Sequence, residues 1–306
     1  MNMPPKLTCA ILLSLSAFSF ADLTEEQRKV PLEVNSPDGS LAKIVVIAGA
    51  QSPGSKPGGH EYFAGGVLIS GWLKQTPGVW PVLVANGWPE DERVLDGAQA
   101  VVVYADGGVN LSFLPPERWA KMRGLVEKGV GVVMLHQSID IPEANAEELK
   151  AWVGGAWTKD IGVRGHWDME FKELPRHAIL NGVEPFAAPN DGWLYNLHFA
   201  ENVVPLLAGG VPDKTRSTPD AKANAGRSEV VGWAYERPKG GRSVVFTGAH
   251  EHKYWRLESQ RRFVTNAILW SANLSVPEGG AKVEMDSAEL AKNLDDKSPK
   301  PAKITQ

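Results

Sequence analysis

The sequence predicts an α/β fold: a doubly wound, mostly parallel sheet with helices on both faces and an elaborated insertion. Two observations carry this. Short β-branched runs alternate with helix-length segments from residue 43 to residue 152, the pattern of strand–helix–strand units. The composition, 43% hydrophobic and 22% charged over 306 residues, is that of an ordinary globular chain long enough for one large domain or two small ones.

Residues 43–48 (KIVVIA) form a β-branched run that ends at Gly49, the signature of a buried parallel strand. A Gly/Pro/Ser-rich loop fills 50–59, and 61–74 reads as a helix. Residues 80–85 (WPVLVA) and 98–104 (AQAVVVY) are the next strands. Pro115-Pro116-Glu117 opens a helix running to about Lys128, because proline suits a first helical turn. Residues 130–135 (VGVVML) are a fourth strand, followed by a helix through Glu147 to Trp152. From 154 to about 220, Gly, Pro, Asn and aromatic residues break the periodicity, which reads as an insertion over the sheet. Two further strands, 229–234 and 242–246, flank the turn Arg237-Pro238-Lys239-Gly240-Gly241. A last helix spans 255–270, with Phe263, Ala267 and Trp270 spaced to pack on the sheet. Beyond Pro277 the chain is charged, and 281–306 reads as a tail that frays by Lys297-Ser298-Pro299-Lys300-Pro301.

At the other end, Lys6, the apolar run 10–20 and Ser19-Phe20-Ala21 read as a secretory signal peptide cut after Ala21. Residues 22–42 then form an N-terminal extension. An uncleaved amphipathic anchor is the rival reading. The expected location is periplasmic or secreted. The only cysteine, Cys9, lies in that leader, so the mature chain has no thiol chemistry. No run reaches the roughly 20 apolar residues of a membrane span. A net charge of −4 gives no pull towards nucleic acid.

In open α/β sheets ligands bind beyond the carboxyl ends of the strands. His136 directly follows one strand, and His250 follows another across Thr247-Gly248-Ala249, with His252 two residues on. His60 closes the glycine-rich loop. Four of the seven histidines thus converge on one sheet edge, which predicts a functional cluster; singly, each would read as a hydrogen-bonding cap.

Several segments resemble one known family. They are Gly58-Gly59-His60-Glu61-Tyr62, Leu135-His136, Gly165-His166-Trp167, Arg176-His177-Ala178-Ile179-Leu180-Asn181-Gly182-Val183, Trp233-Ala234-Tyr235-Glu236-Arg237 with Gly240-Gly241-Arg242, Thr247-Gly248-Ala249-His250-Glu251-His252, Asn266-Ala267-Ile268-Leu269-Trp270 and Val276-Pro277-Glu278-Gly279-Gly280. In this order they are similar to ThuA-like (trehalose-utilisation) proteins over residues 43–280. The resemblance implies a flavodoxin-like sheet of the class I glutamine amidotransferase-like superfamily. It places His136 on the turn of that superfamily's nucleophilic cysteine, His250 at its catalytic histidine and His252 at the following glutamate. Without a thiol no γ-glutamyl thioester forms, so the chain is not a glutaminase. Three imidazoles, His136, His250 and His252, suit a divalent, zinc-like metal or an acid–base pair. The alternative is a relic scaffold whose histidines bond one another.

The chain also departs from the family pattern. Where the family has Asp-Glu-Trp-Tyr and an Asn-Met-Arg-Phe-like tail, this chain has Asp191-Gly192-Trp193-Leu194-Tyr195-Asn196-Leu197-His198-Phe199. Gly192 replaces an acid and His198 an arginine, leaving Asp191 or His198 to substitute. Asp140 is either a pocket carboxylate or a helix cap.

Eleven tryptophans are many against a usual frequency of about one in a hundred. Trp157, Trp167, Trp193 and Trp255, with Tyr195, are candidates for a saccharide-stacking platform, whereas Trp72, Trp119, Trp152 and Trp270 read as core. The family association with trehalose and 3-keto sugars implies an enzyme, a lyase or hydrolase, acting on an oxidised sugar. His136, His250 and His252 would polarise the ketone, with His60, His166 or Asp191 as acid–base groups. A catalytically inert carbohydrate-binding protein is the alternative. A glycosidase built on Asp168 and Glu170 is a weaker third, because no spacing fixes its two carboxylates. His177 reads as structural. The oligomeric state is open.

Overall fold

The computed structural model describes residues 23–298. Residues 1–22, which hold Cys9 and the expected signal peptide, and residues 299–306 lie outside that range. Five strands run parallel: β1 (Ala42–Ala48), β2 (Val79–Val84), β3 (Ala100–Tyr104), β4 (Gly131–Leu135) and β11 (Arg242–Phe246). β10 (Ser228–Glu236) pairs antiparallel with β11, and β9 (Val204–Gly210) antiparallel with β10, giving the order β2-β1-β3-β4-β11-β10-β9. Alternation along each strand splits the core. Ile44, Val46 and Ala48 face α1 (Tyr62–Leu73) and α5 (Glu258–Ser271), while Val45 and Ile47 face α2 (Pro116–Glu127) and α3 (Glu143–Val153). Each parallel strand is buried on both faces, which is why the runs read as continuously apolar.

The expected insertion holds five strands and a short helix. β5 (Gly155–Ala156) pairs with β8 (His198–Phe199), and β6 (Val163–Phe171) pairs with β7 (Phe186–Tyr195). β9 and α4 (Pro219–Ala223) complete the segment before β10. The β6–β7 pair buries Trp167, Met169, Phe171, Trp193 and Tyr195 in the same core as α1 and α5. The last helix is shorter than expected, because His252–Arg256 forms a separate 3-10 turn ahead of α5.

The charged tail is a correction. Up to residue 298 it is tied down: Ala281 and Val283 are buried, Ala281 N–H donates to Asn266 Oδ1 at 2.8 Å, and Asn293 is clipped to Gln27 and Glu26. Composition hid this, since the ties are single polar contacts to distant segments. Among the described residues no helix is long and apolar enough to cross a membrane.

Candidate functional site

Three loops meet at the carboxyl ends of β1, β4 and β11. His136 begins the 3-10 turn after β4 with φ at 56°, and His60 precedes α1 with φ at 53°. Left-handed backbone costs a non-glycine residue about 1–2 kcal/mol, and such strain collects where a side chain must be aimed. The loop after β1 is zipped to the loop after β11. Gly59 and Glu251 form an antiparallel bridge, His60 N–H donates to the His250 carbonyl at 3.0 Å, and His252 N–H donates to the Gly58 carbonyl at 2.7 Å.

The zipper brings three imidazoles together. His60 Nε2 lies 3.2 Å from His136 Nε2, and His250 Nδ1 lies 3.1 Å from the same atom. The supporting contacts set the tautomers. The Thr247 carbonyl, 3.1 Å from His136 Nδ1, can only accept, so that nitrogen carries the proton and Nε2 presents a lone pair. His60 Nδ1 faces Ser52 Oγ at 2.8 Å and Asp106 Oδ1 at 3.3 Å, and Tyr62 donates its hydroxyl to Asp106 at 2.6 Å. The proton of His60 thus sits towards Asp106, leaving Nε2 for the centre. Burial pushes the His136 pKa well below the ordinary value, with help from His60 and His250. Burial, then His60, His166 and Lys297, bring His250 down to about 3. Burial alone would raise the Asp106 carboxyl, but bonds from His60, Tyr62 and Ser52 outweigh it and hold it below the ordinary range. The three ring nitrogens therefore converge, with the His136 and His60 rings oriented from behind, as a divalent metal requires.

His252 does not join it. The three-imidazole set is His60, His136 and His250. His252 starts the 3-10 turn, which carries its ring into a buried position, where desolvation drives its pKa down to about 4. His166, exposed on β6, stacks edge-on to His250 with ring centroids 4.6 Å apart, and with His250 and Glu251 makes a second group of close ligand atoms. A hollow of about 400 Å³ opens between Lys56, His60, His166, Asn190, His250 and Glu251.

Asp191 is fully buried behind this hollow rather than in it. Its carboxylate accepts backbone N–H bonds from Gly192 at 2.9 Å, Ala249 at 3.2 Å and Glu251 at 2.8 Å, so it braces the His250 loop. Burial raises its pKa to about 7 against the pull of those donors. His198 lies on β8, exposed and paired with Asp220 at 3.2 Å, outside the cluster. Asp140 neither caps α3, which follows Pro142, nor joins the imidazoles. It pairs with Arg164 at 3.1 Å, and burial lifts it to about 6. His177 is structural, its Nδ1 accepting from Ile179 N–H.

The aromatic platform is overturned. Trp157, Trp167, Trp193, Tyr195 and Trp255 are all buried, none more than 5% exposed. Trp167, Trp193 and Tyr195 point inward from β6 and β7, Trp255 packs on Trp72, and Trp157 donates Nε1–H to the Val163 carbonyl. Ser52, Asp106, Glu251 and Lys297 are the site residues sequence reasoning missed. For Asp106 the signal was present: it stands two residues past β3, where the same strand-end rule applies.

The fold is a mostly parallel, doubly wound α/β sheet whose strand-end turns gather imidazoles at one edge. The chain belongs to the ThuA family: the family model described as trehalose utilisation matches residues 82–271. That match holds His136, His166, Asp191 and His250 but not His60. A solved ThuA-like protein from Bacteroides uniformis superposes with a TM-score of 0.55 at 12% identity, covering 78% of this chain and 94% of that one. One from Parabacteroides merdae gives 0.55 at 14%, covering 82% and 99%. At these identities the likeness is one of fold. No curated protein matches the sequence.

Proposed function

We propose that this ThuA-family protein is a lyase-type enzyme that cleaves an oxidised, 3-keto glycoside at the histidine centre. The observation that carries the reading is the convergence of His60 Nε2, His136 Nε2 and His250 Nδ1, with protons of His60 and His136 directed outward. These three would hold a divalent metal, His60 taking the part first expected of His252. When bound, such an ion polarises a ketone oxygen and favours the enediolate form. His166, exposed at the mouth of the hollow, is the acid–base group. It takes the C2 proton beside the ketone, the electron pair forms C1=C2, the C1–O bond breaks, and the leaving oxygen takes up a proton. The products are an unsaturated keto sugar and an alcohol, so atoms balance without redox change. The leader is proposed to carry the chain out of the cytoplasm.

Protein purified without chelator and analysed for metals should carry near one equivalent of a transition metal and release alcohol from a 3-keto glycoside. His136→Ala should abolish release with the fold retained by circular dichroism. Absence of both metal and release, with and without added zinc, manganese or cobalt, refutes the proposal. A purely binding role draws no support from the tryptophans, which are buried.

A further inference from the structure

The C-terminal segment returns to the histidine centre and places an ammonium against it. Lys297 Nζ donates to the Gly59 carbonyl and to Glu61 Oε1, the latter at 2.8 Å, with Asp295 Oδ2 at 3.9 Å. The side chains of Lys297 and Glu61 are 2% and 1% exposed. Burying an ammonium is costly unless it is paired and hydrogen-bonded, so this contact is a built one. Its partners are the two residues flanking His60. Glu61 also accepts Gly58 N–H at 2.9 Å and Asp295 N–H at 2.8 Å. Gln51, at the start of the same loop, donates to the Asp296 carbonyl at 2.7 Å. The strap is itself anchored, since Gln27 Nε2 donates to the Asn293 carbonyl at 2.9 Å and Asn293 N–H donates to Glu26 at 2.9 Å.

We propose that Lys297 is a positioning residue for the histidine centre, clamping the Gly59–Glu61 backbone from which His60 projects and against which His250 packs. His60 holds a left-handed backbone, a conformation that persists only when its surroundings over-determine it. Lys297 and Glu61 supply that constraint from both sides. The ammonium points at the loop backbone and does not line the hollow, so its role is to aim imidazoles, not to touch substrate. The functional part of this inference rests on the metal reading above; the mechanical part does not.

The test compares wild type, Lys297→Met and Lys297→Arg in the full chain. Amide hydrogen exchange over residues 52–61 should quicken about tenfold or more in Lys297→Met, with strands β1, β3 and β4 unchanged. Cobalt(II) affinity should fall roughly 10–100-fold, the effect expected of lost ligand orientation, and the visible bands of the bound cobalt should shift. Lys297→Arg should restore most of both. Uniform loosening of the whole chain, or a loop and cobalt spectrum unchanged in Lys297→Met, overturns the proposal. If wild type binds no cobalt the metal reading falls, and exchange in 52–61 decides the clamp alone: selective quickening supports it and no change refutes it.

Discussion

Replacing Gly192 by alanine tests the placement of His250 directly. A Cβ at residue 192 would stand 2.6 Å from His250 Cγ, 2.7 Å from its Cβ and 3.1 Å from its Nδ1. Ordinary carbon contacts need about 3.5–4.0 Å, so the ring must retreat by about 1 Å. That ring carries the Nδ1 that approaches His136 Nε2 at 3.1 Å, and ligand sets tolerate only about 0.5 Å of misplacement. Cobalt affinity, measured by competition titration, should fall roughly 10–100-fold, and turnover of a 3-keto glycoside by about 100-fold. Overpacking should also cost about 1–3 kcal/mol, a melting temperature lower by about 2–4 °C for each kcal/mol. Gly165→Ala on the partner strand is the control: its Cβ would meet nothing nearer than 3.6 Å, so binding should match wild type. Gly192→Ala with cobalt affinity within about twofold of wild type would mean that His250 is not a ligand.

Two further outcomes are expected. The imidazole resonances of His136, His250 and His252 should stay in the neutral form down to pH 5, where an ordinary histidine, titrating near about 6.5, is charged; full titration of any of them between pH 7 and 5 contradicts the burial reading. The sign matters for stability: these depressed histidines lose stability as pH falls below about 6.5, whereas Asp191, raised to about 7, and Asp140 and Asp295, each raised to about 6, lose it as pH rises from the ordinary value of 3.8 to those values, so resonance titration separates what a melting curve merges. Trp255→Ala should cost about 3–5 kcal/mol in denaturant unfolding; wild-type stability with selective loss of saccharide binding would restore the aromatic platform.

Why the sequence gathered the histidines at one sheet edge but put His252 where His60 stands in the three-ring cluster is a matter of contact range. The runs of β1, β3 and β4 are legible because a strand buried on both faces is apolar at every position, and the strand-end rule then points to His136 and His250. β6 carries an alternation the sequence reading did not use: Val163, Trp167, Met169 and Phe171 face inward, but Gly165 and the charges between obscure it. β7 was hidden by Pro189 and Gly192, residues that argue against a strand until Gly192 is seen making room for a ring from another loop. His252 drew attention because the resemblance places it two residues after the superfamily's catalytic histidine, but a 3-10 turn begins at His252 and carries its ring away. His60 takes its place through a bridge between Gly59 and Glu251 and a left-handed backbone clamped by Lys297 and Glu61. Those contacts join positions some 190 and 240 residues apart in the sequence, and no local period records them. The imidazole cluster is thus a property of loop–loop register, so a change that slips the Gly59–Glu251 bridge should scatter the three rings even with every histidine in place.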